Sequence, residues 1–187
     1  MMKFLKIPVV AVLIAVLVVF ISTTVSISIK LHNKCESVTD GFYSGVMQHG
    51  SLTGSIQKDL NNLCDIASEV IIVADNYGIN TKKLSSSTDT LRHDISYRNY
   101  NISGIYLSYS EFYNALRDVQ IELSNTGLSQ RHVQYMTEAT EQIIILKQRI
   151  ENAGYNESVK TFYKRFDRFP VTLFANFFDV TYPEYFA

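Results

Sequence analysis

Histidines, carboxylates and cysteines are the residues of this chain that could bind a metal ion. None of the histidines belongs to an HExxH or ExxH sequence, the spacing that places two metal ligands on one face of a helix. Glu138 and Glu141 lie one helical turn apart, but a di-iron bundle also needs Glu-x-x-His pairs from other helices. We therefore predict no metal site and interpret the two glutamates as an exposed face. The four histidines are His32, His49, His93 and His132.

Other sequence patterns that carry chemistry are also missing. The two cysteines form no CxxC pair, and no GxSxG turn is present. The glycines between Gly41 and Gly54 match neither a P-loop nor a GxGxxG sequence. A formal net charge of −1 provides no basic excess to neutralise phosphates, which argues against nucleic-acid binding. We therefore predict that the protein is not an enzyme, uses no cofactor and binds no nucleic acid.

The N-terminus is strongly apolar. A short basic start, residues 1–6, precedes residues 7–29, which contain no charged side chain. A transmembrane helix needs about 20 apolar residues, so residues 7–29 are long enough to cross a bilayer. A cleaved signal peptide is the alternative, although the apolar run exceeds the usual length of about 7–15 residues and no clear A-x-A site follows it. We predict a retained single-pass anchor.

The charges that flank the anchor do not select an orientation. Lys3 and Lys6 precede the apolar segment, and Lys30 and Lys34 follow it. The positive-inside rule compares such flanks, and here they balance. The side of the membrane that the following domain occupies is therefore not predicted.

Helical periodicity predicts one long helix over residues 37–77. Each interior glycine costs about 1 kcal/mol relative to alanine, so we expect a kink or a break at residues 49–54. Cys35 and Cys64 would lie too far apart along such a helix to form a disulfide. Gly78 suits the C-terminal cap. The residues of the predicted buried face are Leu52, Ile56, Leu60, Leu63, Ala67, Val70, Ala74 and Tyr77.

Two further segments have contrasting patterns. Residues 81–90, with the sequence TKKLSSSTDT, are predicted to be the longest connection of the domain, because Ser and Thr favour caps and turns. Residues 102–123 give the clearest helix, since their apolar positions alternate between steps of three and four residues. Those positions are Ile102, Ile105, Tyr109, Phe112, Leu116, Val119 and Leu123.

A last long helical pattern begins near Ser129. Its apolar stripe changes phase after Gly154, so we expect either a bend there or a second half that faces another neighbour. Pro170 is expected to end the helix. The stripe after Gly154 contains Tyr155, Val159, Phe162, Phe166 and Phe169. If Phe166 is fully buried, Phe166→Ala should cost about 3–5 kcal/mol of stability.

The final residues are rich in aromatic side chains. We expect a short helix and tail folded back onto the domain, with insertion into a membrane surface or docking by a partner as alternatives. No strand is predicted anywhere in the chain. The predicted fold class is all-α: an N-terminal transmembrane helix followed by an antiparallel bundle of three to four long helices over residues 30–187. The aromatic residues of the tail are Phe174, Phe177, Phe178, Tyr182, Tyr185 and Phe186.

Residues 152–187 contain a series of aromatic, Asn and Pro positions: Tyr155-Asn156, Val159, Phe162-Tyr163, Phe169-Pro170, Ala175, Phe177-Phe178 and Tyr185-Phe186. In order and approximate spacing these residues resemble the C-terminal part of the LemA family of bacterial membrane proteins. An N-terminal anchor followed by a helical domain also agrees with that family. The chain departs from the family at Asn152 and Ala153, where arginines are usual.

The resemblance implies a long antiparallel bundle joined to a membrane anchor, in a bacterial plasma membrane, with no established reaction. We interpret its motif residues as structural. In that interpretation Tyr155 and Phe169 pack between helices, and Asn156 satisfies a buried polar group. The alternative is a docking surface. The motif residues so interpreted are Tyr155, Asn156, Val159, Tyr163, Phe169, Pro170, Tyr185 and Phe186.

Two functions are consistent with the sequence. The first is a non-enzymatic membrane-anchored scaffold or interaction protein of the LemA type, with a protein partner. A long helical bundle offers extended faces that suit partner helices. The second is an extracytoplasmic helical-bundle sensor, which would act through a partner because the chain carries no effector module of its own.

Overall fold

The computed structural model describes residues 6–48, 50–98, 101–168, 171–172, 175, 178 and 180–187, and of residues 6–10 and 48 the backbone alone. Over these residues the fold is all-α, as predicted. The helices are α1 Lys6–Ser44, α2 Ile56–Asn76, α3 Lys82–Ser96, α4 Ile102–Ser124, α5 Gln130–Glu151 and α6 Tyr155–Phe166. A single ladder of two-residue strands, β1 Met47–Gln48 and β2 Ser51–Leu52, lies between α1 and α2.

The chain divides into two compact units. The first comprises Met1–Ser37 and Thr161–Tyr182, and the second comprises Val38–Lys160 and Pro183–Ala187. In the second unit α2 packs against α3, α4 and α5, and α3 also packs against α4. Short connections join these helices, which is the arrangement of an antiparallel bundle.

Helix α1 changes character along its length. Its apolar side chains between Val12 and Ile21 are all exposed, whereas Leu31, Cys35 and Phe42 are buried. Among the described residues, α1 is the one helix that is long and apolar enough to cross a membrane, with the candidate span at Ala11–Ser44. A membrane anchor and a signal sequence both have this composition.

The single helix predicted over residues 37–77 is wrong. Gly45 adopts a φ of +88°, and a Cβ there would collide with the backbone carbonyl oxygen of Thr53. The backbone N–H of Thr53 donates to the carbonyl oxygen of Val46 at 2.8 Å, which closes a short hairpin. The break therefore begins before the predicted residues 49–54, of which His49 lies outside the described residues. Leu52, predicted to be buried, is 65% exposed in β2.

The connection predicted at residues 81–90 is also wrong, because Lys82–Ser96 form α3. Serine and threonine hydroxyls often favour turns, but here they bond to carbonyl oxygens of their own helix. The Thr88 hydroxyl, for example, donates to the carbonyl oxygen of Leu84 at 2.7 Å. Burial of one face then stabilises the helix. The buried side chains of that face are Leu84, Thr88, Leu91 and Ile95.

The later helices agree with their periodicity. Every apolar position predicted for residues 102–123 is buried in α4. Ser129 caps α5, and Gly154, with a φ of +74°, separates α5 from α6, so the chain bends where the stripe changes phase. Phe166 is only half-buried, so the cost expected for a fully buried ring does not apply to it.

Both cysteines are free and buried. Cys35 lies on α1 and Cys64 on α2, so the prediction that distance along one helix separates them is wrong. Burial raises the pKa of the Cys64 thiol to about 12. Because the thiolate is the reactive form, we expect a maleimide at pH 7.5 to leave Cys64 unmodified in the folded protein. Mass spectrometry after labelling in guanidinium chloride provides the fully modified control. Fast labelling without denaturant would contradict the burial.

Candidate functional site

The C-terminal segment, Pro183–Ala187, is held in the second unit by an amide side chain. Asn156 donates through Nδ2 to the carbonyl oxygen of Phe186 at 2.9 Å. The backbone N–H of Phe186 donates to Asn156 Oδ1 at 2.8 Å. One side chain at the start of α6 thus satisfies both backbone groups of a residue that belongs to no helix or strand.

Glu184 fixes the same segment to the first turn of α4. Its Oε2 atom accepts hydrogen bonds from the backbone N–H of Ser103 at 3.0 Å and from the Ser103 hydroxyl at 2.7 Å. The first N–H groups of a helix have no partner within the helix, and a carboxylate there is also favoured by the helix dipole. The hydroxyl of Tyr155 donates to the carbonyl oxygen of Glu184 at 2.8 Å.

The Phe186 ring completes an aromatic cluster. Its centroid lies 5.4 Å from that of Phe42, 5.2 Å from Tyr106 and 5.7 Å from Tyr109. Phe42 in turn lies 5.7 Å from Tyr155 in an edge-to-face arrangement. Such pairs contribute about 0.5–1.5 kcal/mol beyond the area that they bury. The cluster therefore joins α1, α4, α6 and the C-terminal segment.

The structure brings together some of the motif residues and not others. Tyr155, Asn156 and Phe186 meet in the second unit, where Val159 is also buried. In the first unit, Tyr163 lies beside Phe162 and Tyr182, with ring centroids 5.9 Å and 5.7 Å away. Tyr185 is 39% exposed, and Phe169 and Pro170 lie outside the described residues.

Sequence reasoning missed three residues of this site: Phe42, Ser103 and Glu184. Phe42 continues the helical spacing of Leu31 and Cys35 on α1, so periodicity could have found it. Nothing in the sequence pairs Ser103 with Glu184, because the contact joins two distant parts of the chain.

Asn156→Ala should lower the free energy of unfolding by about 1–3 kcal/mol, because it removes both partners of the Phe186 backbone. Hydrogen exchange at the Phe186 amide should also become faster. Asn152→Ala is the matched control, since the Asn152 side chain donates to the carbonyl oxygen of Gln148, one turn back on α5, and not to the C-terminal segment as the structure describes it. Equal exchange rates at Phe186 in the wild type and Asn156→Ala would contradict the role assigned to Asn156.

A groove of about 740 Å³ opens beside the C-terminal segment. Tyr106, Tyr109 and Tyr113 of α4 form one wall, and burial raises the pKa of Tyr109 above its usual value. Volumes of about 300–1,000 Å³ are typical of small-molecule sites. Polar side chains from α4, α5 and α6, and from the residue after α5, complete the lining. They are Ser110, Asn114, Lys147, Glu151, Asn152, Asn156 and Glu157.

A second polar feature of the unit is structural. Asp59 of α2 is almost fully buried, with its Oδ1 atom 2.8 Å from Nη2 of Arg149 on α5. Burial raises the pKa of Asp59, while the nearby charges of Arg149 and Lys58 oppose that shift. The pair holds α2 against α5, and neither residue lines the groove.

The groove offers hydroxyl, amide and charged groups around aromatic rings, a set suited to binding and orienting a ligand. In the part of the chain that the structure describes, no three His, Cys, Asp or Glu side chains are grouped to hold a metal ion. Glu138 and Glu141 are exposed on α5, in agreement with the sequence interpretation. No family model matches the chain, and no curated protein or solved structure shows significant similarity to it.

Proposed function

We propose that this chain is a membrane-anchored, non-enzymatic scaffold or interaction protein of the LemA type in a bacterial plasma membrane. One observation carries the proposal: α1 runs without a break from an exposed apolar half into a half that buries one face, which includes Leu31, Cys35 and Phe42. The same helix can therefore insert into lipid at one end and be fixed to a helical domain at the other.

The exposed half of α1 is better suited to lipid than to water. Its side chains between Val12 and Ile21 are exposed without interruption. An apolar surface of this extent in water would be an aggregation hazard, whereas hydrocarbon stabilises it. Within the hydrocarbon of a bilayer, a helix also satisfies the hydrogen-bonding groups of its own backbone. Its large apolar members are Val12, Leu13, Ile14, Val16, Leu17, Val18, Val19, Phe20 and Ile21.

Support for the LemA part of the proposal comes from the motif residues. Tyr155, Asn156 and Phe186, which carry part of the resemblance, contact the same C-terminal segment or belong to it. The shared motif would then maintain the shape of the domain rather than perform a reaction. A rigid helical domain of this kind presents its outer faces to a protein partner.

Alkaline carbonate extraction and intact mass spectrometry together test the anchor. We expect the protein to stay in the membrane pellet and to have a mass that includes residues 7–29. A soluble protein whose mass lacks these residues would show that the segment is a signal peptide. A protein that keeps residues 7–29 but is extracted into the soluble fraction would also refute anchoring.

Protease access to a C-terminal tag in intact and permeabilised cells gives the side of the membrane. Protection until permeabilisation would direct a cross-linking search to cytoplasmic partners, in line with the topology usually proposed for the LemA family. Digestion of the tag in intact cells would direct the cross-linking search to partners in the cell envelope. A reproducible cross-linked protein is expected in either case, and its absence under several growth conditions would count against the scaffold function.

The tyrosine-lined groove favours a second candidate, an extracytoplasmic sensor that acts through a partner. The groove touches α4, α5, α6 and the C-terminal segment, so a ligand there would contact most of the elements that close this end of the unit. Binding could then change the surface that a partner contacts. Digestion of the tag in intact cells, together with ligand binding, would support this candidate over the scaffold.

A further inference from the structure

We propose that the groove beside the C-terminal segment binds an organic cation, an alkylammonium or quaternary ammonium group. The inference deepens the sensor candidate, because it names the class of ligand, and it does not depend on membrane anchoring. Three features of the groove support it: an aromatic wall, a lysine that already places a cation against that wall, and two carboxylates.

The aromatic wall is continuous along one face of α4. The ring centroids of Tyr106 and Tyr109 are 6.3 Å apart, and those of Tyr109 and Tyr113 are 6.0 Å apart. The faces of aromatic rings are electronegative and attract cations, more strongly where water is excluded. Tyr109, at the centre of the wall, is only 8% exposed. Its packing against Phe186 leaves the half-buried rings of Tyr106 and Tyr113 as the ring surfaces of the wall that a cation can reach.

Lys147 shows where a cation fits. Its Nζ atom lies 4.9 Å from the centroid of the Tyr113 ring and 3.8 Å from Oε1 of Glu151. The ammonium therefore has a ring on one side and a carboxylate on another, as a bound alkylammonium group would. The side chains of the Lys147–Glu151 pair are 40% and 60% exposed, and ion pairs this close to solvent contribute little to stability. The flexible lysine stem can therefore move into water at small cost.

The charges that line the groove favour a cation over an anion. When Lys147 is displaced, the charged side chains that line the groove are Glu151 and Glu157. Glu157 also pairs with Lys160 at 3.5 Å, but both side chains of that pair are exposed, so the pair screens the groove weakly. An anionic ligand would instead need Lys147 and would be repelled by both carboxylates.

Lys147→Met separates a cationic ligand from an anionic one, because it should strengthen binding of a cation and weaken binding of an anion. The full chain in a neutral detergent is titrated with tetramethylammonium chloride, and binding is followed by NMR of ¹³C-labelled tyrosine rings, with sodium chloride as the ionic-strength control. Lys147→Met removes the competing ammonium, so we expect it to tighten binding roughly 3- to 10-fold. Tyr113→Leu and Glu151→Gln should each weaken binding by a similar factor.

Lys83→Met is the matched control, since Lys83 forms an exposed pair with Asp118 and does not line the groove. It changes net charge by the same amount and should leave binding unchanged. Weaker binding in Lys147→Met, or an equal gain in Lys83→Met, would overturn the proposal. So would the absence of saturable binding in both the wild type and Lys147→Met, provided that their helical circular dichroism is unchanged.

Discussion

Phe42→Ala is expected to lower the free energy of unfolding by about 3–5 kcal/mol. The Phe42 ring is fully buried and contacts the rings of Tyr43, Tyr155 and Phe186. Alanine would leave a cavity at the point where α1, α6 and the C-terminal segment meet. Guanidinium denaturation of the full chain in a mild detergent, followed by circular dichroism, measures the difference.

Phe20→Ala is the matched control, because Phe20 lies on the same helix but is exposed. It makes the same chemical change without opening a cavity in the folded domain, so we expect a change below about 0.5 kcal/mol. Similar losses in the two variants would mean that Phe42 is not part of a packed core.

Two arginines in the apolar half of α1 should release the protein from the membrane. Val16 and Val19 are exposed apolar residues near the centre of the 7–29 segment. An arginine at the centre of a transmembrane helix costs about 2.5–3.5 kcal/mol, so the double variant Val16→Arg/Val19→Arg should lose roughly 5–7 kcal/mol of insertion free energy. Alkaline carbonate extraction should then move a large share of the protein from the pellet to the supernatant.

The control places the same two charges elsewhere. Ile144 and Ile145 are exposed on α5, and Ile144→Arg/Ile145→Arg should leave the membrane fraction unchanged. If Val16→Arg/Val19→Arg remained in the pellet as fully as the wild type, the apolar half of α1 would not be the anchor.

The elements that could be predicted from the sequence are those whose pattern and surroundings agree. The seven-residue repeat of α4 specifies its buried face, and Ser129 and Gly154 mark the ends of α5. In α3 and at Gly45, local preference and tertiary context disagree. Serine and threonine disfavour a helix interior, but burial of Leu84, Leu91 and Ile95 outweighs that preference. At Gly45 the apolar stripe of the sequence favours a continuous helix, but the glycine adopts a positive φ and the helix ends before it.

The candidate site was predictable only in part. Tyr155, for which packing was predicted, is buried, and Asn156, for which a polar partner was predicted, bonds to the Phe186 backbone; whether these roles are structural or part of a docking surface stays a prediction. The partner of Asn156 could not be inferred, because its hydrogen bonds join residues 30 apart through a segment without regular structure. The groove also depends on the relative placement of three helices, which periodicity does not specify.

The contact between Phe42 and Phe186 has a consequence for the order of folding. The two rings are distant in sequence, and contacts of that kind form late because a long loop must close first. While the chain is being synthesised, α2 through α5 can pack against one another, but the site of the Phe186 ring beside Phe42 stays vacant until residue 186 has been added. A nascent or shortened chain would therefore leave the Phe42 ring uncovered, and exposed apolar surface of this kind favours aggregation until the domain closes.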